Sequence, residues 1–409
     1  MKQVHGRIVD AQVAGAAGPR VVLLSGSEQH ALDLAPGQPP VEAGDLVTLA
    51  RGEQGAEVVA IHARAGAKWD PEGDGLRWRA PAAAPSRMHL LFQRQAILRA
   101  VRDYFYEQGF LEVQAPLLVR GTCPDAHIDS LSVGDAYLTT STEYQIKRME
   151  VGGFDKVFTL TQNFRGADIG ARHNPEFTML EWARTFATLD DIERDAEALV
   201  KRAHQAVSPG GGPLVYEGKV LHLDAPRWER LTVRGAFEEH LGMRLDGGLD
   251  HDSLRREATR LGLDIPASFL ADEHLLFSFL VDAVQARLGA PTPTFLVEWP
   301  SIMTSSAALL PGAGTFTERS ELVIAGIELS DGFPSLRDPD LQRRLFAREQ
   351  ARRAREGKPA VVLDERYLAA LEQGIPPGAG MALGFDRLVM LLTGRTQIRD
   401  VIPFAWDEL

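Results

Sequence analysis

Arg165 and Arg387 stand in the two stretches of this chain richest in side chains that could do chemistry. Phe164-Arg165 leads on to His173-Asn174-Pro175-Glu176-Phe177-Thr178-Met179-Leu180-Glu181-Trp182, and far downstream lies Gly380-Met381-Ala382-Leu383-Gly384-Phe385-Asp386-Arg387-Leu388. Arginine offers a planar fork that binds phosphate or carboxylate oxygens two at a time and keeps its charge at all working pH values. A reaction that builds negative charge on phosphorus needs such fixed cations, a metal, and an aromatic or apolar seat for a base. Phe177 is the candidate seat. Glu321 and Glu328 flank the apolar run Leu322-Val323-Ile324-Ala325-Gly326-Ile327, which reads as a β-hairpin turning near Ala325-Gly326. That turn is expected to bring the two carboxylates together as hard oxygen ligands for Mg²⁺ bridging phosphates. Plainer readings exist for each residue alone: an Arg387–Asp386 surface pair, a core Phe177, two glutamates on an edge hairpin. Their joint occurrence favours the chemical reading.

Together the two stretches resemble motifs 2 and 3 of class II aminoacyl-tRNA synthetases in the lysyl, aspartyl and asparaginyl subgroup. Gly109-Phe110-Leu111-Glu112-Val113-Gln114-Ala115-Pro116-Leu117-Leu118 resembles motif 1 of the same class, and the resemblance runs from about Met88 to the C-terminus. It implies an α+β fold, an antiparallel sheet flanked by helices, that activates an amino acid as its adenylate with ATP and Mg²⁺. By the same resemblance Arg165 holds the α-phosphate and the substrate carboxylate, His173 and Arg387 hold the γ-phosphate, and Phe177 stacks on adenine. Asn174, Glu328, Leu329 and Gly384 complete the implied nucleotide site, and Glu321 and Glu328 the metal site. A homodimer built on the motif 1 helix and strand is also implied.

Within the superfamily the chain is most similar to the elongation factor P lysine ligases, which modify a protein lysine instead of a tRNA. Ser141-Thr142-Glu143-Tyr144-Gln145-Ile146-Lys147-Arg148 resembles their Ser-Pro-Glu-Tyr-x-x-Lys-Arg, where Ser and Glu contact the amino end of the substrate. Gly326-Ile327-Glu328-Leu329-Ser330-Asp331-Gly332-Phe333 resembles their Gly-Ile-Glu-Leu-Ala-Asn-Gly-Phe, and Ala382 matches their motif 3 alanine. The departures fall on the amino-acid pocket. Glu181 is retained, but Ala183 stands where the family carries Tyr, Ser335 where it carries a second Glu, and Ala167 where motif 2 carries Glu. Asp331, in place of Asn, and Asp168 are the candidates to restore the lost charge. An ammonium is held only by acidic or hydroxyl partners, so Glu181 and Asp331 are expected to share that task. Three readings result: an adenylate-forming ligase that passes lysine or β-lysine to elongation factor P, a lysyl-type tRNA ligase, and a non-catalytic amino-acid sensor. The first leads because the arginines persist.

The elements that must position these residues can be read from pattern. Ile97, Leu98, Val101 and Phe105 recur at helical spacing up to Gly109, and Leu189, Ile192, Ala196, Leu199 and Val200 form a second helical stripe. Ser208-Pro209-Gly210-Gly211-Gly212-Pro213 lacks the Gly-Lys-Ser/Thr ending of a phosphate-binding loop and reads as a turn. Arg343, Arg344, Arg348, Arg352, Arg353, Arg355 and Lys358 mark a basic helix, expected to be a solvated face balanced by Glu349 and Glu356. Residues 1–65 carry five short apolar runs, at Arg7–Val9, Val21–Leu24, Ala31–Leu34, Leu46–Leu49 and Val58–Ile61, which suggest an OB-like β-barrel. Residues 66–87, with Pro71, Pro81, Pro85, Trp69 and Trp78, read as a linker, and 88–409 as the catalytic domain.

Composition excludes other classes. The 409 residues are 44% hydrophobic, enough for two or three domains, and no run approaches a membrane span or a signal-peptide core. One cysteine, Cys123, leaves no disulfide scaffold or CxxC zinc site, so a cytoplasmic location is expected. The net charge of -12 opposes a large nucleic-acid footprint. No aromatic residue precedes Trp69, and residues 1–80 hold 8 Lys/Arg against 10 Asp/Glu, so the N-terminal module lacks both the stacking platforms and the basic groove of a tRNA reader.

Overall fold

The computed structural model describes residues 3–12, 19–25, 28–66, 87–166, 169–244, 251–310 and 316–409. The linker with Trp69 and Trp78, and the motif 2 positions Ala167 and Asp168, lie outside the described residues. The chain divides into two compact units, Met1–Phe92 and Gln93–Leu409.

The first unit is built on five strands, β1 (Gln3–Gln12), β2 (Arg20–Ser25), β3 (Glu28–Asp33), β4 (Leu46–Gly52) and β5 (Gly55–Ala63). Each contains or overlaps one of the apolar runs. They form one sheet in the order β3-β2-β1-β4-β5 around Ile8, Val21, Leu23, Leu34, Val47 and Leu49. The expected closed barrel is not formed. Between the two edges there is a single parallel bridge, Leu34 to Ala56, because β3 ends where that contact begins and no ladder continues it.

The second unit is mixed α and β, and its centre is an eight-stranded sheet. In chain order the elements begin with α1 (Arg87–Glu107), β6 (Leu111–Glu112), β7 (Leu118–Val119), β8 (Ser132–Val133), β9 (Ala136–Leu138), α2 (Glu143–Val151), β10 (Lys156–Phe164) and β11 (Glu176–Thr185). After α3 (Leu189–Val207) come β12 (Leu214–Tyr216), β13 (Lys219–Leu221), β14 (Glu229–Thr232), α4 (Val233–Leu241), α5 (His251–Arg260), α6 (Ala267–Leu270) and α7 (Glu273–Gln285). The last elements are β15 (Thr294–Pro300), β16 (Phe316–Ile324), β17 (Ile327–Pro334), α8 (Pro339–Arg355), α9 (Glu365–Glu372), β18 (Gly378–Gly384) and α10 (Phe385–Leu392). The large sheet runs β14-β15-β16-β17-β18-β11-β10-β6, antiparallel except for the pairs β14–β15 and β6–β10. To the large sheet the motif 1 stretch supplies the two-residue β6, its hydrogen bonding to β10 continuing one step further through Val113 N to Phe158 O.

Strand periodicity decides which face each residue takes. Leu180 and Trp182 of β11, Met381 and Leu383 of β18, Leu322 and Ile324 of β16 and Leu329 of β17 join one core with Ile97, Val101 and Phe105 of α1 and Ile192, Ala196, Leu199 and Val200 of α3. The other face opens on a cavity. Thr188 caps α3 through a reciprocal pair with Asp191, each side chain accepting from the other's backbone N–H. The β16–β17 hairpin turns at Ala325 (φ 56°) and Gly326 (φ 83°) as its sequence predicts. Gly326 is required there, since a Cβ would lie 3.0 Å from the Ala286 carbonyl oxygen.

Candidate functional site

A cavity of about 530 Å³ lies on the open face of the large sheet and is lined by every site residue named from the sequence that falls among the described residues. The strand registers explain how residues so distant in the chain meet. Thr159 of β10 pairs with Glu181 of β11, Glu181 with Ala382 of β18, Ala382 with Asp331 of β17, and Asp331 with Glu321 of β16. These five residues form one rung across five strands. The next rung toward α2 runs Val157–Ala183–Gly380–Phe333. Gly380 approaches closely there, for a Cβ would meet the Trp182 carbonyl oxygen at 2.9 Å.

The cationic end of the cavity gathers the predicted residues. Arg387 donates through Nη1 to the Glu328 backbone carbonyl at 2.8 Å and through Nη2 to His173 Nε2, so that ring nitrogen carries no proton. Its Nη1 lies 3.7 Å from the Glu328 carboxylate. Gly384 ends β18 and caps α10, and the strand passes directly into the helix that carries Arg387. Asp386 is not the partner of Arg387. It is buried, accepts from the Thr178 backbone N–H at 2.7 Å and pairs with Arg94 of α1. The Arg165 guanidinium lies 5.2 Å from the centre of the Phe177 ring, and its Nε has no hydrogen-bond partner. Asn174 is committed to the backbone, donating to Glu176 O at 2.6 Å and accepting from Trp406 N at 2.9 Å.

The acidic side chains are mostly engaged. Glu181 accepts from Ser141 Oγ at 2.6 Å, from Thr142 N at 2.7 Å and from Thr142 Oγ1; burial raises its pKa while these donors oppose the rise. Glu143 pairs with Lys147 one turn along α2. Arg319, a residue the sequence reading passed over, sits between two carboxylates: Nε donates to Asp331 at 2.8 Å and Nη2 to Glu321 at 2.8 Å. It also donates to Met303 O at 2.7 Å and covers the Trp299 ring at 4.5 Å. The spare charge expected of Asp331 is therefore already met by a cation. Ser335 is buried, its backbone N–H bound to Gly378 O.

The two hairpin glutamates do not face each other as the simple turn implied. The two-residue turn already sets Glu328 opposite Val323, and a bulge between Leu322 and Val323 then pairs Glu321 with Asp331. Both still line the cavity. Burial pushes Glu321 well above the usual carboxylate range, with Arg319 opposing the rise and Glu328 and Asp331 adding to it. Among the described residues no group of three or more His, Cys, Asp or Glu side chains could hold a metal alone. The excess of carboxylate over guanidinium at this spot fits a cation that takes its remaining ligands from phosphate and water, as Mg²⁺ does.

The basic helix keeps part of its expected role, with Arg348 paired to Glu349, Arg352 to Glu356, and Arg344 and Arg355 exposed, but two of its arginines depart from it. Arg352 and Arg353 of α8 are 4% and 2% exposed, not solvated. Arg353 donates to Asp125 O at 3.0 Å, Ile128 O at 2.9 Å and Pro359 O at 2.9 Å, and Lys358 to Ala126 O at 2.7 Å. The helix thus ties down the 121–128 segment, which forms a wall of the cavity.

Comparison with known proteins places this geometry. Residues 77–408 match the family model described as tRNA synthetases class II (D, K and N), so the five N-terminal strands lie outside the match. The chain is 34% identical over 319 residues to a lysine–tRNA ligase of Carboxydothermus hydrogenoformans, covering 76% of this chain and 64% of that protein. It is 35% identical over 329 residues to the lysine–tRNA ligase of Moorella thermoacetica, covering 78% and 65%. It is 33% identical over 343 residues to an elongation factor P–(R)-β-lysine ligase of Klebsiella pneumoniae, covering 81% of this chain and 98% of that protein. The chain therefore spans under two thirds of the tRNA ligases and nearly all of the elongation factor P ligase.

Proposed function

Given that this chain belongs to the class II tRNA synthetase family of the D, K and N type, we propose that it is an ATP-dependent ligase that activates a lysine-type amino acid as its adenylate and passes it to an amine acceptor. The carrying observation is that Arg165, His173 and Arg387 line the same cavity as Ser141, Glu143 and Glu181. The substrate carboxylate attacks the α-phosphorus of ATP, pyrophosphate leaves, and an acceptor amine then displaces AMP from the acyl carbon. Arg165, with a donor left open, is suited to the charge that grows on the α-phosphate and the incoming carboxylate. Arg387 and His173, already joined, suit the leaving phosphates, and the Phe177 ring, which lines the cavity, suits adenine. Leu329 and Gly384 bound the nucleotide end. Glu321 and Glu328 would hold Mg²⁺, which when bound offsets the charge of the leaving pyrophosphate.

The acceptor supported by coverage is a lysine of elongation factor P, since the β-lysine ligase relative matches over 98% of its length. tRNA aminoacylation is the second reading, supported by the lysine–tRNA ligase relatives. The N-terminal sheet, read as an OB-like module by its strand order and its edge bridge, does not add the aromatic platforms that reading needs. A cytoplasmic homodimer completes the proposal; no helix among the described residues is long and apolar enough to cross a membrane. Amino-acid-dependent pyrophosphate exchange across a panel of amino acids tests the activation step. Transfer of labelled lysine or β-lysine to elongation factor P, set beside transfer to tRNA, tests the acceptor. A protein inert in exchange with every amino acid would be a binding paralogue, not a ligase.

A further inference from the structure

Most acidic side chains around the cavity have a protein partner, and Glu150 keeps an oxygen without one. It lies on the buried face of α2 with Tyr144, Ile146 and Lys147, lines the cavity, and is 2% exposed. Its Oε2 accepts no hydrogen bond. Lys147, the cation beside it, already donates to Glu143. Glu181 is held by Ser141 and Thr142, and Glu321 and Asp331 by Arg319. A buried carboxylate left short of donors is costly unless a ligand supplies them.

The surroundings show where such a ligand would enter. Lys147 Nζ lies 5.3 Å from the Phe333 ring centre, and Phe333 pairs with Gly380, which pairs with Ala183. Ile146 of α2 packs on Ala183 and Val157. The buried face of α2 therefore closes the part of the cavity floored by Ala183, Gly380, Ala382 and Ser335, all small side chains that leave room for an extended substrate.

We propose that Glu150 is the counter-charge for the distal ammonium of a diamino-acid substrate such as lysine, and that the small-residue end of the cavity is the side-chain subsite. The proposal rests on the reading of the chain as an amino-acid-activating ligase and specifies which carboxylate reads the substrate. An ammonium brings both the positive charge and the donors that Glu150 lacks. Burial lifts the free carboxyl to about 7, with Lys147 opposing and Glu143 adding to the rise, and Tyr367 of α9 borders the same Lys147. Binding near neutral pH should therefore expel part of a proton.

Calorimetry with lysine and with norleucine, its neutral counterpart, at pH 7 in two buffers of different ionisation enthalpy tests this. Wild-type protein should prefer lysine and release a fraction of a proton on binding it. Glu150→Gln should weaken lysine by about tenfold or more, leave norleucine unchanged and abolish the proton release. Ala183→Leu, which keeps Glu150 but fills the subsite, should weaken lysine more than alanine. Unchanged lysine affinity in Glu150→Gln, an equal loss for both amino acids, or no lysine preference in the wild type would each overturn the assignment. Pyrophosphate exchange run in parallel separates the two readings. Lysine binding that needs Glu150 without exchange defeats activation and leaves the subsite standing, whereas exchange whose lysine KM ignores Glu150 does the reverse.

Discussion

Arg165 and Glu150 represent opposite kinds of unsatisfied group at the residue scale, a donor and an acceptor each left open in the same cavity. Arg165→Ala should lower pyrophosphate exchange by about two to three orders of magnitude, the usual cost of removing one donor from a developing charge, with the thermal transition little changed. A variant that keeps near-wild-type exchange would remove Arg165 from the chemistry. Glu150 makes a prediction about stability. Burial pushes its carboxyl up to about 7 from the ordinary 4.5, so between these pH values the folded state binds the extra proton. Stability then falls as pH rises through that window. Glu150→Gln should raise the melting temperature of the ligand-free protein at pH 8, by at most about 3 kcal/mol of unfolding free energy, and the gain should vanish near pH 4. Melting curves at the two pH values decide it. Arg165, His173 and Arg387 were legible because motif spacing carried them. Arg319 and Glu150 were not, because their meaning depends on which neighbours already have partners.

At the scale of elements, the site depends on clamps that hold strand to helix. Asp386 is the second residue of α10, just before Arg387, and it is fixed by the Thr178 backbone of β11 and by Arg94 of α1, which also lies 4.9 Å over the Phe385 ring. Arg94→Met would leave the Asp386 carboxylate buried without its cation, a change that costs about 3–5 kcal/mol. Denaturant titration should show that loss, and a change under about 1 kcal/mol would mean the pair is dispensable. The hairpin of β16 and β17 was readable from its apolar run and its Ala-Gly turn. Its bulge was not, and the bulge sets the partner of Glu321. Arg352 and Arg353 of the basic helix are buried instead of solvated for a related reason: helical spacing shows which residues share a side, but not that a loop from 121 to 128 needs its carbonyls satisfied there.

The whole molecule joins a family-typical region to an N-terminal sheet outside the family match. Because the cavity-lining residues among those described run from Val119 to Ile398, a chain starting at residue 77 should keep lysine-dependent exchange within a few fold of the full chain. Complete loss of exchange in a folded truncation would assign the sheet a part in activation. For the full chain, with a net charge of -12, any tRNA affinity should be weak and should collapse as salt rises from 50 to 200 mM, as phosphate contacts do. Efficient, salt-resistant charging of one tRNA would reverse the order of the two acceptor readings.

The sequence by itself determined the class of fold, the order of its motifs and a set of side chains that the fold brings into one cavity. Apolar periodicity and motif spacing are local properties, and they survive in a one-dimensional string: the stripe of α3, the β16–β17 turn and the five N-terminal strands all appear where the pattern puts them. Tertiary structure alone decided the electrostatics of the pocket. Whether Asp331 has a spare charge depends on Arg319 two strand positions from Glu321, and whether Glu181 is free depends on Ser141 and Thr142 some forty residues away in the chain. A carboxylate's partners are set by register and burial across several strands. No spacing along the chain encodes which of the cavity's acids is left for the substrate.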